Sequence, residues 1–206
     1  MVKAITDIMN SPAITTDRAP EPTSSDMTGW LVDRMNENST SPEAQELREN
    51  FAKFPLTYPV VEGLEDWVGL VRGGAVWDYK EDILNTPILK EQQSANVMLG
   101  DQEVNFQAVA NINYGFMAGE VGLPQWMAEA GAGVFQVWDH RGDWKNNVGG
   151  LSAWFDDPAD NYWITFGYYL SNQQDISISS FTDYLMEYIK AYGFPPKPLS
   201  PGGGLE

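Results

Sequence analysis

The sequence contains no cysteine and only one histidine, His140, among its 206 residues. The absence of cysteine excludes disulfide bonds, thiol catalysis and cysteine-ligated zinc. A single histidine excludes metal or nuclease sites that need two histidines from one chain. A Ser-His-Asp triad could use only His140, and no GxSxG motif accompanies it. The GxxxxGK(S/T), HExxH and EF-hand patterns are also absent, so no local motif names a reaction.

Positive charge is scarce as well. Lysine and arginine together number 12 against 29 aspartate and glutamate residues, and the net charge is −17. A surface this acidic repels polyphosphate, which disfavours passive coating of nucleic acid. It is compatible with a small local basic site, a neutral glycan substrate or a cationic partner protein.

Long apolar runs are missing too. No stretch approaches the roughly 20 residues that span a bilayer, so no membrane association is predicted. No signal peptide is visible near the start of the sequence. The localisation therefore stays open, with secretion or delivery as an effector among the alternatives.

The apolar content that is present predicts a folded domain. Hydrophobic residues make up 43% of the chain and aromatic residues 13%, which is enough for a substantial core. Residues 1–25 are rich in Pro, Ser and Thr and predict a flexible arm. Residues 26–194 are predicted to form one domain. Residues 195–206 read as a Pro/Gly tail that is partly a cloning scar.

The domain is predicted to be mainly α, with one small β-hairpin. Ser41-Pro42-Glu43 is typical of a helix start, because Ser caps the helix and Pro suits its first position. Val97, Leu99 and Val104 belong to an alternating pattern around Gly100-Asp101, which predicts the hairpin. Helical spacing begins near Met27, Ser41, Val61, Gln107, Pro124, Asp157 and Ser180, and Gly193 is predicted to end the last helix.

Glycines mark one face of the helix predicted from Gln107 to Gly122. Gly115, Gly119 and Gly122 are spaced four and three residues apart, so they share that face. Because glycine has no side chain, we expect another backbone to approach closely there.

The first candidate for chemistry is the run Trp77-Asp78-Tyr79-Lys80. On a strand, Asp78 and Lys80 would point to the same face. A carboxylate beside an ammonium group can act as a general base with an electrostatic partner. A surface ion pair is the alternative interpretation.

The second candidate lies on the glycine-marked helix. Asn111, Asn113 and Tyr114 could hold a substrate or orient a carboxylate. Glu120 is the one acidic residue in this apolar stretch, so it is the position where burial could raise a carboxyl pKa. Alternatively, the asparagines tie the hairpin to the helix and the glycines serve packing.

Two further candidates follow along the chain. Residues 139–145 concentrate His140, Arg141 and Lys145, which could bind an anionic group with His140 as proton carrier. Asp156, Asp157 and Asp160 could bind a divalent cation or act as acid and base. A solvated loop is the alternative interpretation of the first group, and helix capping explains Asp157 and Asp160.

The same groups of residues occur in the same order in a known family. They are Trp77-Asp78-Tyr79-Lys80, then Asn111-Ile112-Asn113-Tyr114-Gly115 with Gly119 and Gly122, then the Ala130-Gly131 helix, and lastly Asp156-Asp157-Pro158-Ala159-Asp160 followed by Ile164 and Gly167. Through them, residues 77–170 resemble the bacterial toxin 44 family of polymorphic toxin domains. The segment from Trp30 to Phe51 is similar to the helical lead-in of such domains. Ala110 departs from the family, which usually has glycine there.

The resemblance implies a toxin or effector domain, with RNA cleavage as the suggested activity and an immunity protein as a partner. It also implies that polar residues from three segments converge on one site. These residues are Asp78, Lys80, Asn111, Asn113, Tyr114, Asp156, Asp157 and Asp160.

Three functions stay open on the sequence. An RNA-cleaving hydrolase would use Lys80 to stabilise the phosphorane, with a carboxylate or His140 moving protons. A peptidoglycan or other glycan hydrolase would pair carboxylates drawn from Asp78, Glu120 and Asp156. A non-catalytic acidic binding module would use none of them. No organic cofactor is predicted.

Overall fold

The computed structural model describes residues 11–15, 21–53, 58–87, 89, 95–130 and 158–196. Most of these residues are helical, and the sheet among them is one antiparallel hairpin, which confirms the predicted mainly α fold. No helix in these ranges is long and apolar enough to cross a bilayer. In chain order the elements are α1 Thr28–Ser39, α2 Pro42–Phe51, α3 Tyr58–Val71, α4 Lys80–Leu84, β1 Asn96–Leu99, β2 Gln102–Asn105, α5 Gln107–Glu120, α6 Pro158–Ser171 and α7 Ile178–Tyr192.

The predicted start of α2 is confirmed and that of α7 is wrong by three residues. The Ser41 hydroxyl accepts a hydrogen bond from the Ala44 amide at 3.1 Å, and Pro42 occupies the first helical position. At α7 the cap is Ser177, whose hydroxyl accepts from the Ser180 amide at 3.2 Å. The contact is reciprocal, because the Ser180 hydroxyl accepts a hydrogen bond from the Ser177 amide at 2.8 Å. Ser180 is therefore the third residue of the helix rather than its cap.

The predicted hairpin is also confirmed. Val97 pairs with Val104 across the strands, and Gly100 turns the chain with a φ of 56°. The hairpin is tied to the start of α1, because the Met27 amide donates to the Met98 carbonyl at 2.9 Å. Thr28 adds a second tie, since its hydroxyl accepts from the Gly100 amide at 2.6 Å.

Helices α5 and α6 pack with their backbones in direct contact. A Cβ atom built on Gly115 would lie 1.9 Å from the carbonyl oxygen of Ile164. A Cβ built on Gly167 would lie 2.1 Å from the carbonyl oxygen of Ile112. No side chain fits at such distances, so each helix contributes a glycine that lets the other approach.

The glycine face predicted on α5 is confirmed at two positions and wrong at the third. A Cβ on Gly119 would lie 1.9 Å from the Ser171 hydroxyl, so this glycine also serves the contact. Gly122 has nothing within 4 Å of its Cβ position and has a φ of 80°. It lies beyond the end of α5, where a positive φ suits glycine as a helix terminator.

The partners along this contact show that α5 and α6 run in the same direction. Asn111 pairs with Asp160, Gly115 faces Ile164, and Gly119 faces Ser171, so the partners ascend together. The side chains of Trp163, Ile164 and Leu170 on α6 are all buried. Phe166 links α6 to α7, with ring centroids 5.9 Å from Phe181 and 5.0 Å from Tyr188.

Part of the predicted flexible arm is docked. The Ile14 amide donates to the Gly69 carbonyl at 2.7 Å, and the Ile14 carbonyl accepts from the Val76 amide at 2.7 Å. Residues 11–15 therefore lie against the end of α3 and the turn that follows it. Composition alone predicted mobility here because it carries no information about such long-range backbone pairing.

We expect Gly115→Ala to lower the free energy of unfolding by about 3 kcal/mol, because the added methyl must push two helix backbones apart. Gly73→Ala is the matched control, since nothing lies within 4 Å of its Cβ position, and it should change stability by less than about 0.5 kcal/mol. Urea unfolding of both variants measures the difference. Equal stabilities would contradict the backbone contact.

Candidate functional site

The polar residues of the run 111–114 project from α5 in different directions. Residues two apart on a helix are separated by about 200° around its axis, so Asn111 and Asn113 face opposite sides. Asn111 faces α6, and Asn113 faces α1 and the turn before α4. The run is thus a hub that joins several elements, and its two amides do not meet at one point.

Asn111 forms a buried pair with Asp160. Its amide nitrogen donates to a carboxylate oxygen of Asp160 at 2.6 Å. Asn111 is 5% exposed and Asp160 is 9% exposed. Asp160 lies in the first turn of α6, where the positive end of the helix stabilises a negative charge. This pair joins the second and fourth sequence motifs across the glycine contact.

Asn113 belongs to a second polar group, on the other side of α5. The Asn38 amide nitrogen donates to the Tyr79 hydroxyl at 2.8 Å and to the Asn113 amide oxygen at 3.3 Å. The Asn113 nitrogen donates to the Trp77 carbonyl at 3.4 Å. Asn113 is 0% exposed and Tyr79 is 1% exposed. These contacts fasten α1, the turn before α4, and α5 together.

Tyr79 lies among charged groups as well. Its pKa is raised to about 12, chiefly by burial, while the hydrogen bond from Asn38 and the charge of Arg34 oppose the rise. Glu37 and Asp82 raise the pKa further. Arg34 is itself nearly buried and is paired with Glu37 at 2.6 Å. The tyrosine therefore stays protonated at neutral pH.

Asp78 and Lys80 do not lie on a strand, and the expected i, i+2 geometry is wrong. Lys80 is the first residue of α4, and Asp78 lies in the turn before it. The Asp78 carboxylate accepts from the Gly74 amide at 2.9 Å and from the Lys80 amide at 3.3 Å. An aspartate that accepts hydrogen bonds from nearby backbone amides stabilises a turn, which explains why this segment is a turn and not a strand.

Tyr114 and Glu120 are held by other contacts. The Tyr114 hydroxyl donates to the Ala128 carbonyl at 2.9 Å. Glu120 is the last residue of α5, its side chain is 27% exposed, and Arg48 lies 3.2 Å from its carboxylate. The burial expected for Glu120 is thus partial, and its charge is balanced by an arginine from α2.

The remaining predicted site residues, His140, Asp156 and Asp157, lie outside the described residues. Within the described ranges no group of three or more histidine and carboxylate side chains could hold a metal ion. Two members of the predicted cation cluster with Asp160 fall outside those ranges, so the divalent cation stays a prediction.

The geometry defines a helical domain in which two parallel helices in backbone contact carry a buried Asn–Asp pair. A family model described as bacterial toxin 44 matches residues 66–173, slightly more than half of the chain. The chain therefore belongs to the bacterial toxin 44 family, which confirms the resemblance found in the sequence and makes this a toxin domain. No curated protein and no solved structure matches it.

Sequence analysis missed two residues that lie outside the matched stretch, which begins within α3 and ends just after α6. Asn38 donates a hydrogen bond to Tyr79, and the charge of Arg34 lowers the pKa of Tyr79. Asn38 stands in a polar stretch at the end of α1, where no local signal distinguishes a buried amide from a solvated one. Tyr79 was noted only as a neighbour of Asp78 and Lys80.

We expect Asn113→Ala to lower the free energy of unfolding by about 2 kcal/mol, because it leaves the Trp77 carbonyl and the Asn38 amide short of a partner. Asn172→Ala is the control, since this exposed side-chain amide, just after the end of α6, donates to the Tyr168 carbonyl in the last turn of that helix. A double-mutant cycle with Asn38→Ala should show coupling of about 1 kcal/mol between Asn38 and Asn113. Strict additivity would mean that the two side chains do not interact.

Stability should fall with rising pH in the alkaline range. The pKa of Tyr79 rises from 10.0 to about 12 on folding, so its contribution is complete below pH 10 and is lost as pH rises toward 12. Between these values Tyr79→Phe should make the loss less steep by about 1.4 kcal/mol per pH unit, the effect of one proton. Urea unfolding at several pH values compares the two slopes. An unchanged slope would show that Tyr79 titrates normally in the fold.

Proposed function

We propose that this toxin domain is a hydrolase that cleaves RNA, and that the Asn111–Asp160 pair forms part of its reacting centre. The family match supports a toxin and leaves the reaction open. The choice of this pair rests on one observation, the burial of a carboxylate between two helices.

A buried carboxylate is costly to keep. Among the described residues, Asp160 is the one acidic residue that is buried, with 9% of its surface exposed. Removing a charge from water costs free energy unless hydrogen bonds and dipoles replace the solvent. Here an amide at 2.6 Å and the start of α6 replace part of it. An apolar pair would pack two helices without this cost, so a carboxylate at this position supports a chemical role.

Cleavage would proceed by attack of a ribose 2′-hydroxyl on the phosphodiester attached to the 3′-oxygen of the same ribose. Asp160, oriented by Asn111, would accept the proton of that hydroxyl as its oxygen attacks phosphorus. The bond from phosphorus to the 5′-oxygen would break, and an acid such as His140 would protonate the departing oxygen. Products would be a 2′,3′-cyclic phosphate and a free 5′-hydroxyl.

Lys80, to which the sequence assigned stabilisation of the phosphorane, is placed away from this pair. It begins α4 and follows the turn on the Asn113 side of α5, whereas Asp160 lies on the Asn111 side. We therefore do not assign Lys80 to the reacting centre around Asp160.

The glycan-hydrolase alternative has less support from the described residues. Two of its candidate acids are already engaged, Asp78 by backbone amides and Glu120 by Arg48. Asp78 lies next to the Trp77 carbonyl that contacts Asn113, while Glu120 is seven residues further along α5, or about 10 Å. Their present contacts do not aim them at a shared substrate.

Asp160→Asn separates chemistry from packing. Asparagine keeps an oxygen that can accept from Asn111 but cannot take a proton, so the fold should persist while RNA cleavage falls at least about 100-fold. The measurement is cleavage of purified tRNA, together with growth of bacteria that express each variant in the cytoplasm or the periplasm. Cytoplasmic killing should be lost in Asp160→Asn.

Asp183→Asn is the matched control, because Asp183 is exposed on α7. It should cleave and kill like the wild type. If Asp160→Asn remains as toxic as the wild type, Asp160 is a helix tether. Periplasmic killing with lysis would replace RNA by the cell wall as the target, and the absence of killing in both compartments would favour the non-catalytic binding module.

A further inference from the structure

Residues 11–15, called the strap below, are recognised through their backbone. The Ile14 amide donates to the Gly69 carbonyl and the Ile14 carbonyl accepts from the Val76 amide, both at 2.7 Å. The guanidinium of Arg72 donates to the Ser11 carbonyl. We call the surface formed by Gly69, Arg72 and Val76 the strap groove.

The strap groove is suited to an extended peptide because of how α3 ends. The last carbonyl groups of a helix lack partners within the helix, and the strap supplies one to Gly69. A Cβ on Gly69 would lie 3.2 Å from the Pro12 carbonyl oxygen and 3.4 Å from the Ile14 side chain. The distance to the Pro12 carbonyl oxygen is tighter than most contacts of a real Cβ, so glycine lets the peptide lie close to the helix. Pairing on both sides of one residue is the pattern by which proteins bind extended segments.

The strap and its groove belong to different parts of the chain. The groove lies inside the stretch matched by the family, and the strap lies more than 50 residues before that stretch begins. The groove also borders the turn that carries Asp78. Val76, which binds Ile14, directly precedes Trp77, whose carbonyl accepts from Asn113.

We propose that the strap groove is a peptide-binding site, occupied in this chain by its own strap, and that its ligand is an extended segment of the Ser-Pro-x-Ile type. The strap holds the turn 73–79 in place while it is docked. A peptide of the same sequence, supplied from outside, binds in its place when the strap is undocked. This inference does not depend on the reaction that the domain catalyses.

Competition within the chain determines how the site must be tested. A tethered segment has an effective concentration in the millimolar range, so the intact strap excludes a peptide added at lower concentration. Ile14→Pro removes the amide that donates to Gly69 and so vacates the groove. Ile14→Ala keeps that amide and leaves the strap docked.

The experiment measures binding of a fluorescent peptide of residues 9–17 to the full-length chain by fluorescence polarisation. We expect the peptide to bind Ile14→Pro at least about ten-fold more tightly than it binds the wild type or Ile14→Ala. Adding Arg72→Ala to Ile14→Pro should abolish binding. A peptide that itself carries proline at position 14 should bind none of these proteins.

Hydrogen exchange provides a second readout that does not use the label. The Val76 amide should exchange faster in Ile14→Pro than in Ile14→Ala and recover its protection when unlabelled peptide saturates the groove, whereas amides of α5 should not change. Circular dichroism confirms that each variant is folded. Equal peptide binding to wild type and Ile14→Pro, or no binding to either, would overturn the proposal.

Discussion

The close contact between α5 and α6 is the constraint on which the rest of the described structure depends. Gly115 and Gly167 each admit the backbone of the opposite helix, and this sets both the separation and the register of the two helices. The register in turn brings Asn111 opposite Asp160. Because helices this close leave no room for intervening side chains, a polar pair at their edge is largely shielded from solvent. Packing and candidate chemistry therefore share one cause.

The second buried polar group depends on the same helix but serves a different junction. Asn113 joins α5 to Asn38 on α1 and to the Trp77 carbonyl, and Tyr79 completes the group. Since α1 lies outside the residues matched by the family, the polar interior of this domain extends beyond the matched stretch. The strap shows the same relation on the outside of the molecule, where residues 11–15 pair with the end of α3. Segments that precede the family match thus contact the region around residues 76–79 both in the interior, through Asn38, and on the surface, through Ile14.

The acidic character of the chain acts on this arrangement from outside. A net charge of −17 disfavours any broad contact with RNA, so an RNA-cleaving site must be local and must supply its own cations. The pair Arg48–Glu120 shows how such cations are used elsewhere, since Arg48 neutralises one carboxylate and caps the carbonyl of Glu120 at the end of α5. Arg72 is used similarly at the end of α3, where it binds the strap.

The sequence by itself determined what depends on neighbours along the chain. Helical spacing, the cap at Ser41, the hairpin at Gly100 and the family resemblance are local patterns, and they are confirmed, although the cap of the last helix is Ser177 and not Ser180. Tertiary structure decided the rest. Spacing showed that Gly115 faces a neighbour but not that the neighbour is α6, and it could not distinguish Gly122, which ends a helix. Spacing grouped Asn111 and Asn113 in one motif but did not show that they contact different helices. It also gave no sign of the contacts of Asn38 and Ile14, because a hydrogen bond between distant segments leaves no periodic pattern in either segment.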